Sequence, residues 1–525
     1  MNNILIHNAC YRDQVIEDYK GHPFIEALPP ILSEDEVTVH LEYYPTKYKN
    51  DRILADHYRV HSLISLSQIF IISDRHYELE NKISLMIRQG YKSRNPANGK
   101  YIKKILNAYE RVQKGDLDSI VVHNTISTAF STSLIGCSGI GKTTTLCRIL
   151  GLYPQAIKHI EYNIVQVVWL KLECPKNASL VGLCHEFFSA LDRILGSNYV
   201  KKYCRKRRTS NQLLLDMQLV AGLHAIGILV IDEIQNLDAK SSGGYEVVLN
   251  FFVGLENKLG IPILTVGTLK AQKLFQIDFR QARRVEQFGS MIWLQYNNKS
   301  DDWSYLVEQL WKYQVLRKKT KLSNEIKKCL FECSQGITSV LISLFLLSQK
   351  RAIDIKDEYI SVDLIREVFD DCFKFTRPML DALKNNDRAA LEKYDDIRPP
   401  CLIDQVSINT IKERKKVVKK EVDISEIQQI EMISKLLSVD SYTVKLAWNN
   451  VKYSYDNDDK INLPNLVIDE LNGRYKTDAK KDLNKTELSK DDLRCITKKS
   501  NQCTNYEALK QTGNIGLSEN CILEL

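Results

Sequence analysis

The stretch GCSGIGKTTT, Gly136 to Thr145, decides how the rest of the chain is read. It fits G-x-x-x-x-G-K-[ST] from Gly136 to Thr143. Glycines in such a loop let successive backbone N–H groups turn toward one phosphate. Lys142 then reaches the β- and γ-phosphates, and the Thr143 hydroxyl ligates Mg²⁺. The candidate ATP-binding set is Gly136, Cys137, Ser138, Gly139, Ile140, Gly141, Lys142, Thr143 and Thr144.

The flanks agree with that reading. ISTAFSTSLIG reads as a strand feeding the loop, and KTTTLCRILGLY as the helix leaving it. Further on come a strand IVQVVWLKL (164–172), a helix SLVGLCHEFFSALDRILG and a continuous apolar run AIGILVIDE (225–233). A helix GYEVVLNFFVGLENKLG and strands IPILTVGT and SMIWLQY follow. Strands alternating with helices predict an α/β fold, a P-loop NTPase parallel sheet flanked by helices.

ILVIDE supplies the second half of the chemistry. A buried strand would present Asp232 for Mg²⁺ and Glu233 to orient or deprotonate the attacking water. Thr268, at the end of ILTVGT, is placed to contact the γ-phosphate or the lytic water, or serves only as a turn residue. FRQARR puts Arg280, Arg283 and Arg284 on one short segment. They would serve as an arginine finger toward a neighbouring subunit, or equally as a solvated basic patch.

Composition narrows the class. The chain has 525 residues, 44% hydrophobic and 26% charged, as expected of a globular protein with a large core. No apolar run spans a membrane, and the N-terminus MNNILIHNACYRDQ lacks the pattern of a secretory signal. The 13 cysteines are scattered without a C-x-x-C pair, which predicts reduced thiols in a cytoplasmic protein. The net charge of +8 matters only where it gathers. KKYCRKRR holds Lys201, Lys202, Arg205, Lys206, Arg207 and Arg208 around a tyrosine, and KERKKVVKK (412–420) is a second cluster. Both suit sequence-independent contact with a nucleic-acid phosphate backbone, or a solvated surface.

Four regions emerge. Residues 1–125 are partly helical, with one helix expected to stop at Gly90. They include IEDYKGHPFIEALPPIL, whose Pro23, Pro29 and Pro30 predict an extended recognition segment or a strapped loop. Residues 126–300 carry the α/β core, and 301–385 an all-helical lid built from WSYLVEQLWKYQVL, SNEIKKCLFECSQG, SVLISLFLLSQKRAI and SVDLIREVFDDCFK. Residues 386–525 form a charged, less periodic C-terminal region.

With these residues in hand, the chain resembles the TnsC family, AAA+ ATPase regulators of cut-and-paste transposons that use a TnsA–TnsB transposase. YRDQVIEDYKGHPFIEALPP, SLMIRQGYKSRNP, LNAYERVQKGDL, LIGCSGIGKTT, ALDRILGSNY, ILVIDEIQNL, SGGYEVVLNFF and ECSQGI look like that family's segments, in order over about residues 10–385. The tail is similar through DLRCI and NYEALKQTGNI. The resemblance implies an AAA+ fold, ATP and Mg²⁺ as cofactors, and rings or filaments of the chain on DNA without sequence preference. It implies recruitment by a target-selection protein, TnsD or a TniQ relative, and signalling to TnsA and TnsB in the bacterial cytoplasm. It assigns Gly136–Thr143 as the Walker A loop, Asp232 and Glu233 as the Walker B pair, Thr268 as a sensor, and Arg283 or Arg284 as the arginine acting in trans. HPFIEALPP would face the targeting protein, and the C-terminal tail the transposase. One departure stands out: SQGITSVLISLF carries no arginine where many AAA+ lids have one to sense nucleotide. A helicase loader or other DNA-remodelling ATPase is the nearest rival reading. A signalling NTPase scaffold without DNA is the second, and a transporter ATPase lacks its LSGGQ-type signature.

Overall fold

The computed structural model describes residues 6–45, 51–99, 128–176, 179–204, 210–237, 260–271 and 289–385, with single positions elsewhere such as Tyr101 and Glu256. The chain divides into two units, Met1–Val406 with Ser489–Leu525, and Ser407–Leu488. In the second unit Ile433, Val444, Ala447 and Trp448 are buried. All that follows concerns the first.

Its strands are β1 (Ile6–Asn8), β2 (Thr132–Gly136), β3 (Ala156–His159), β4 (Ile164–Val167), β5 (Trp169–Glu173), β6 (Ile228–Asp232), β7 (Ile263–Gly267) and β8 (Met291–Trp293). The N-terminal region contributes helices α1 (Pro23–Glu26), α2 (Glu34–Leu41), α3 (Asp56–Leu63) and α4 (Asp74–Lys92). The core adds α5 (Lys142–Leu150), α6 (Leu180–Leu195), α7 (Tyr199–Tyr203) and α8 (Ser210–Leu223). The lid adds α9 (Asp301–Trp311), α10 (Asn324–Ser334), α11 (Thr338–Asp354), α12 (Val362–Cys372) and α13 (Arg377–Lys384).

Among the described residues β5, β6, β7, β2 and β8 form one parallel sheet in that order. Every residue of β2, β6 and β7 is buried, as befits central strands of a parallel sheet, and the continuous apolar run is that of β6. The order is not sequential: β2, which leads into the glycine loop, lies between β7 and β8. Helix boundaries follow local chemistry. Ser179, Ser300, Ser323 and Ser361 each accept a backbone N–H three residues on, at 3.3, 3.2, 3.2 and 3.0 Å. Gly196 ends α6 in the left-handed region at φ 67°.

Two expectations need correction. IVQVVWLKL is not one strand: β4 pairs antiparallel with β3 in a small sheet, while β5 pairs with β6 in the main one. Val168 marks the changeover, its N–H donating to Gln155 O and its carbonyl accepting from Ile228 N. Nor does α4 stop at Gly90; it runs on to Lys92. Gly90 is there because Pro262 packs against it, so that a Cβ would stand 2.6 Å from the Pro262 ring.

The segment HPFIEALPP is a largely buried strap, with Glu26 half-buried and Pro30 exposed. Phe24 is fully buried, and Ile25, Ala27 and Leu28 nearly so. Phe24 packs among Tyr91, Tyr101, His22 and His159 with ring centroids 5.2–6.1 Å apart. Its apolar side chains prefer this cluster to water. The N-terminal region also reaches the lid: Leu63, Leu66, Ile69 and Ile71 share one apolar core with Trp303, Leu310, Leu341 and Phe345. Arg59, with no exposed side-chain surface, donates to Glu358 and Asp56 beside that core.

Candidate active site

β2 delivers the chain into the glycine loop, and α5 carries it away. Gly139 and Gly141 sit at φ 78° and 93°, a left-handed backbone that glycine adopts without strain. Nothing lies within 4 Å of where a Cβ on Gly141 would stand, which leaves that side of the loop open. Lys142 is buried, and its ammonium donates to the carbonyls of Gly136 and Cys137 at 2.8 and 2.7 Å. Cys137, whose thiol is pushed up by burial, ties the loop to β8 through a backbone bond to Trp293 O of 3.1 Å.

β6 brings the carboxylates to the same place. Thr143 Oγ1 donates to Asp232 Oδ2 at 3.1 Å, joining the two residues expected to hold the cation. Asp232 Oδ1 accepts the N–H of Glu233 at 3.0 Å. Glu233 itself turns through the left-handed region at φ 57°, rare for a residue with a Cβ and a sign of a position set by its surroundings.

Three groups that sequence reading did not single out complete the arrangement. Gln235 donates to Glu233 Oε2 and accepts the N–H of Thr268 at 3.0 Å, so one amide links the expected base to the expected sensor. Lys171, from β5, lies 3.1 Å from Asp232 Oδ2. Burial works to lower the Lys171 ammonium, and the charge and hydrogen bond of Asp232 outweigh it, so the net direction is upward. Ser339, near the start of α11, donates its N–H to Gly139 O at 3.0 Å and so rests the lid on the loop. A lone lysine inside the apolar run VVWLKL was the available signal for Lys171; Gln235 and Ser339 carried none. Arg75 of α4 also reaches in, donating to Leu294 O and Ile140 O at 3.3 and 3.4 Å while lying over the Tyr296 ring.

The structure therefore brings Gly136–Thr143, Asp232, Glu233 and Thr268 into one site. Of the basic cluster, Lys201 is exposed, and Lys202 lies 5.5 Å from the Tyr203 ring centroid. Arg205, Lys206, Arg207, Arg208, Arg283 and Arg284 lie outside the described residues, as does KERKKVVKK.

A parallel sheet in this order, with a glycine loop after β2, an acidic pair at the end of β6, with β7 between the two strands, and a helical lid on the loop, is the AAA+ P-loop fold. Residues 125–275 match the AAA domain family. Similar solved structures include the ORC2 protein of Aeropyrum pernix, 15% identical over 50% of this chain and 67% of that one, with a TM-score of 0.31. Cdc6p from Pyrobaculum aerophilum is 12% identical over 76% and 94%, with a TM-score of 0.30. The RuvB Holliday junction branch migration motor of Thermotoga maritima is 13% identical over 66% and 83%, with a TM-score of 0.26. No curated protein matches the chain. Among the described residues no helix is long and apolar enough to cross a membrane.

Proposed function

We propose that the chain is an ATP-driven switch of the TnsC kind, which assembles on target DNA, is recruited by a target-selection protein and activates a TnsA–TnsB transposase. The observation that carries the nucleotide part is the convergence of Lys142, Thr143, Asp232, Glu233, Gln235 and Thr268 on one glycine loop. The open left-handed loop and its buried ammonium suit nucleotide phosphates. A hydroxyl 3.1 Å from a carboxylate is a hard-oxygen donor pair of the kind Mg²⁺ takes. When bound, Mg²⁺ would neutralise charge on the phosphates, and Thr143 and Asp232 would hold it.

The chain's own residues do the remaining work. Lys142 binds the phosphates, Glu233 takes a proton from the attacking water, Gln235 fixes the direction of the Glu233 carboxylate, and Thr268 reports the γ-phosphate. Arg283 or Arg284 of a neighbouring copy completes the site, so assembly needs ATP. Assembly aligns Lys201, Lys202 and Arg205–Arg208 of many copies along one duplex, and many weak contacts then hold together. The family resemblance over residues 10–385 supports the transposition role and the bacterial cytoplasm as its setting.

The test is a mobility shift on duplex DNA with and without ATP, at low and high salt. Lys142→Ala should abolish the ATP-dependent shift. Glu233→Gln should retain it and dissociate slowly, with hydrolysis reduced at least about 100-fold. Rapid dissociation of Glu233→Gln contradicts the scheme. No shift with ATP favours a scaffold without DNA, and loading of a hexameric helicase with no response to a transposase favours a loader.

A further inference from the structure

Asp232 meets two donors at one oxygen. Its side chain is 3% exposed, and its Oδ2 accepts from Thr143 Oγ1 and from Lys171 Nζ, each at 3.1 Å. Lys171 pairs in register with Val230, two residues before Asp232, so Lys171 and Asp232 project from the same face of the sheet. Its strand neighbours Leu170 and Leu172 are fully buried. A lysine at such a position is costly unless a carboxylate meets it, and a buried carboxylate is equally costly without a counter-charge.

We propose that Lys171 is a resident counter-cation of the metal carboxylate, which competes with a divalent cation for Asp232 and keeps the site from loading metal ahead of nucleotide. The inference rests on the reading of Asp232 as the Mg²⁺ residue. The physical reason is that the ammonium and the cation seek the same oxygen. A divalent ion held at Asp232, directly or through a water, stands within a few ångströms of a like charge, and the carboxylate between them is buried. The negative phosphates of a nucleotide offset that repulsion. Free metal does not bring them, so metal and nucleotide enter together. Coupled loading suits a switch whose on-state is meant to report ATP rather than the cation.

The experiment uses the full chain and Mn²⁺ alone, followed by electron paramagnetic resonance, so that neither hydrolysis nor nucleotide binding is needed for the readout. Lys171→Met removes the charge and keeps the length. It should bind Mn²⁺ about tenfold or more tightly than the parent, the scale on which residues around a metal ligand tune affinity. Without metal its melting temperature should fall, and Mn²⁺ should restore it. Lys171→Gln keeps a hydrogen-bond donor for Asp232 and should move Mn²⁺ affinity in the same direction, which tests the idea if the Met variant does not fold. Lys171→Arg keeps the charge and should stay near the parent, as should Lys158→Met on the exposed surface of β3. A second titration follows Mg²⁺ dependence of fluorescent ATP binding, and the Met variant should need less Mg²⁺. Equal or weaker Mn²⁺ binding by Lys171→Met and Lys171→Gln overturns the proposal. A parent chain that binds no ATP at any Mg²⁺ concentration overturns the nucleotide reading instead, and the two failures are distinguishable.

Discussion

Acidification should destabilise the fold around the N-terminal strap, because His22 and His159 beside Phe24, and His224 beside Tyr199, are folded in their neutral form. Burial lowers His22, His159 and His224 from 6.5 to about 4. Their hydrogen bonds fit that state. His22 Nε2 must donate to the Tyr91 carbonyl at 2.7 Å. Gln166 spends its amide on Phe24 O, so its Oε1 accepts from His159 Nε2 at 2.7 Å, and the other His159 nitrogen accepts from Tyr11. His224 Nε2 pairs with the Tyr199 hydroxyl at 2.6 Å. Each folded pKa is depressed, so between pH 6.5 and about 4 the unfolded chain binds more protons. Stability is therefore present above pH 6.5, falls as pH drops through that window, and levels off below it. Glu80 opposes the trend. Burial raises it from 4.5 to about 7, so the folded chain keeps one proton there that the unfolded chain loses above pH 4.5. Near pH 5.5 the balance is a net uptake of roughly two protons on unfolding, or about 2.5 kcal/mol per pH unit. Urea midpoints followed by tryptophan fluorescence from pH 4.5 to 7.5 measure the slope. His159→Gln should lower it by about one proton, whatever that variant does to stability at pH 7.5. A flat midpoint between pH 5 and 6.5, or an unchanged slope in the variant, refutes the reasoning.

Two further outcomes test other joints of the molecule. Arg59→Met strands the Glu358 carboxylate, 10% exposed, with the half-exposed Arg317 as its remaining ion-pair partner among the described residues. It should cost about 3 kcal/mol in urea unfolding, with a smaller loss when Glu358→Gln is added; a single variant within experimental error of the parent rejects the network. Gln235→Ala removes the group that aims Glu233 and accepts from Thr268 N. Hydrolysis should fall up to about 100-fold while nucleotide affinity holds, and an unaltered turnover number shows that Glu233 is aimed by something else.

The glycine loop, the acidic pair and the alternation of strands and helices were legible in the chain itself, because each is set by local rules. Left-handed φ selects glycine at Gly139 and Gly141, and a continuous apolar run marks β6 as an interior strand. The lid helices announced themselves through apolar spacing, and the structure added the serines that cap three of them. What surrounds those motifs was decided by the tertiary structure. Sequence order says nothing of β5 lying beside β6, so the meeting of Lys171 with Asp232 was hidden until the sheet was assembled. The same holds for Gln235 reaching Thr268 and for the lid's Ser339 on Gly139. A glycine required by a neighbour is indistinguishable in sequence from one that ends a helix, which is why Gly90 read as a stop. Prolines predicted either an extended recognition segment or a strapped loop, and only the burial of Phe24 in an aromatic cluster chose the strap. Local backbone chemistry determines which residues are able to act; long-range packing determines which charges and amides they act beside.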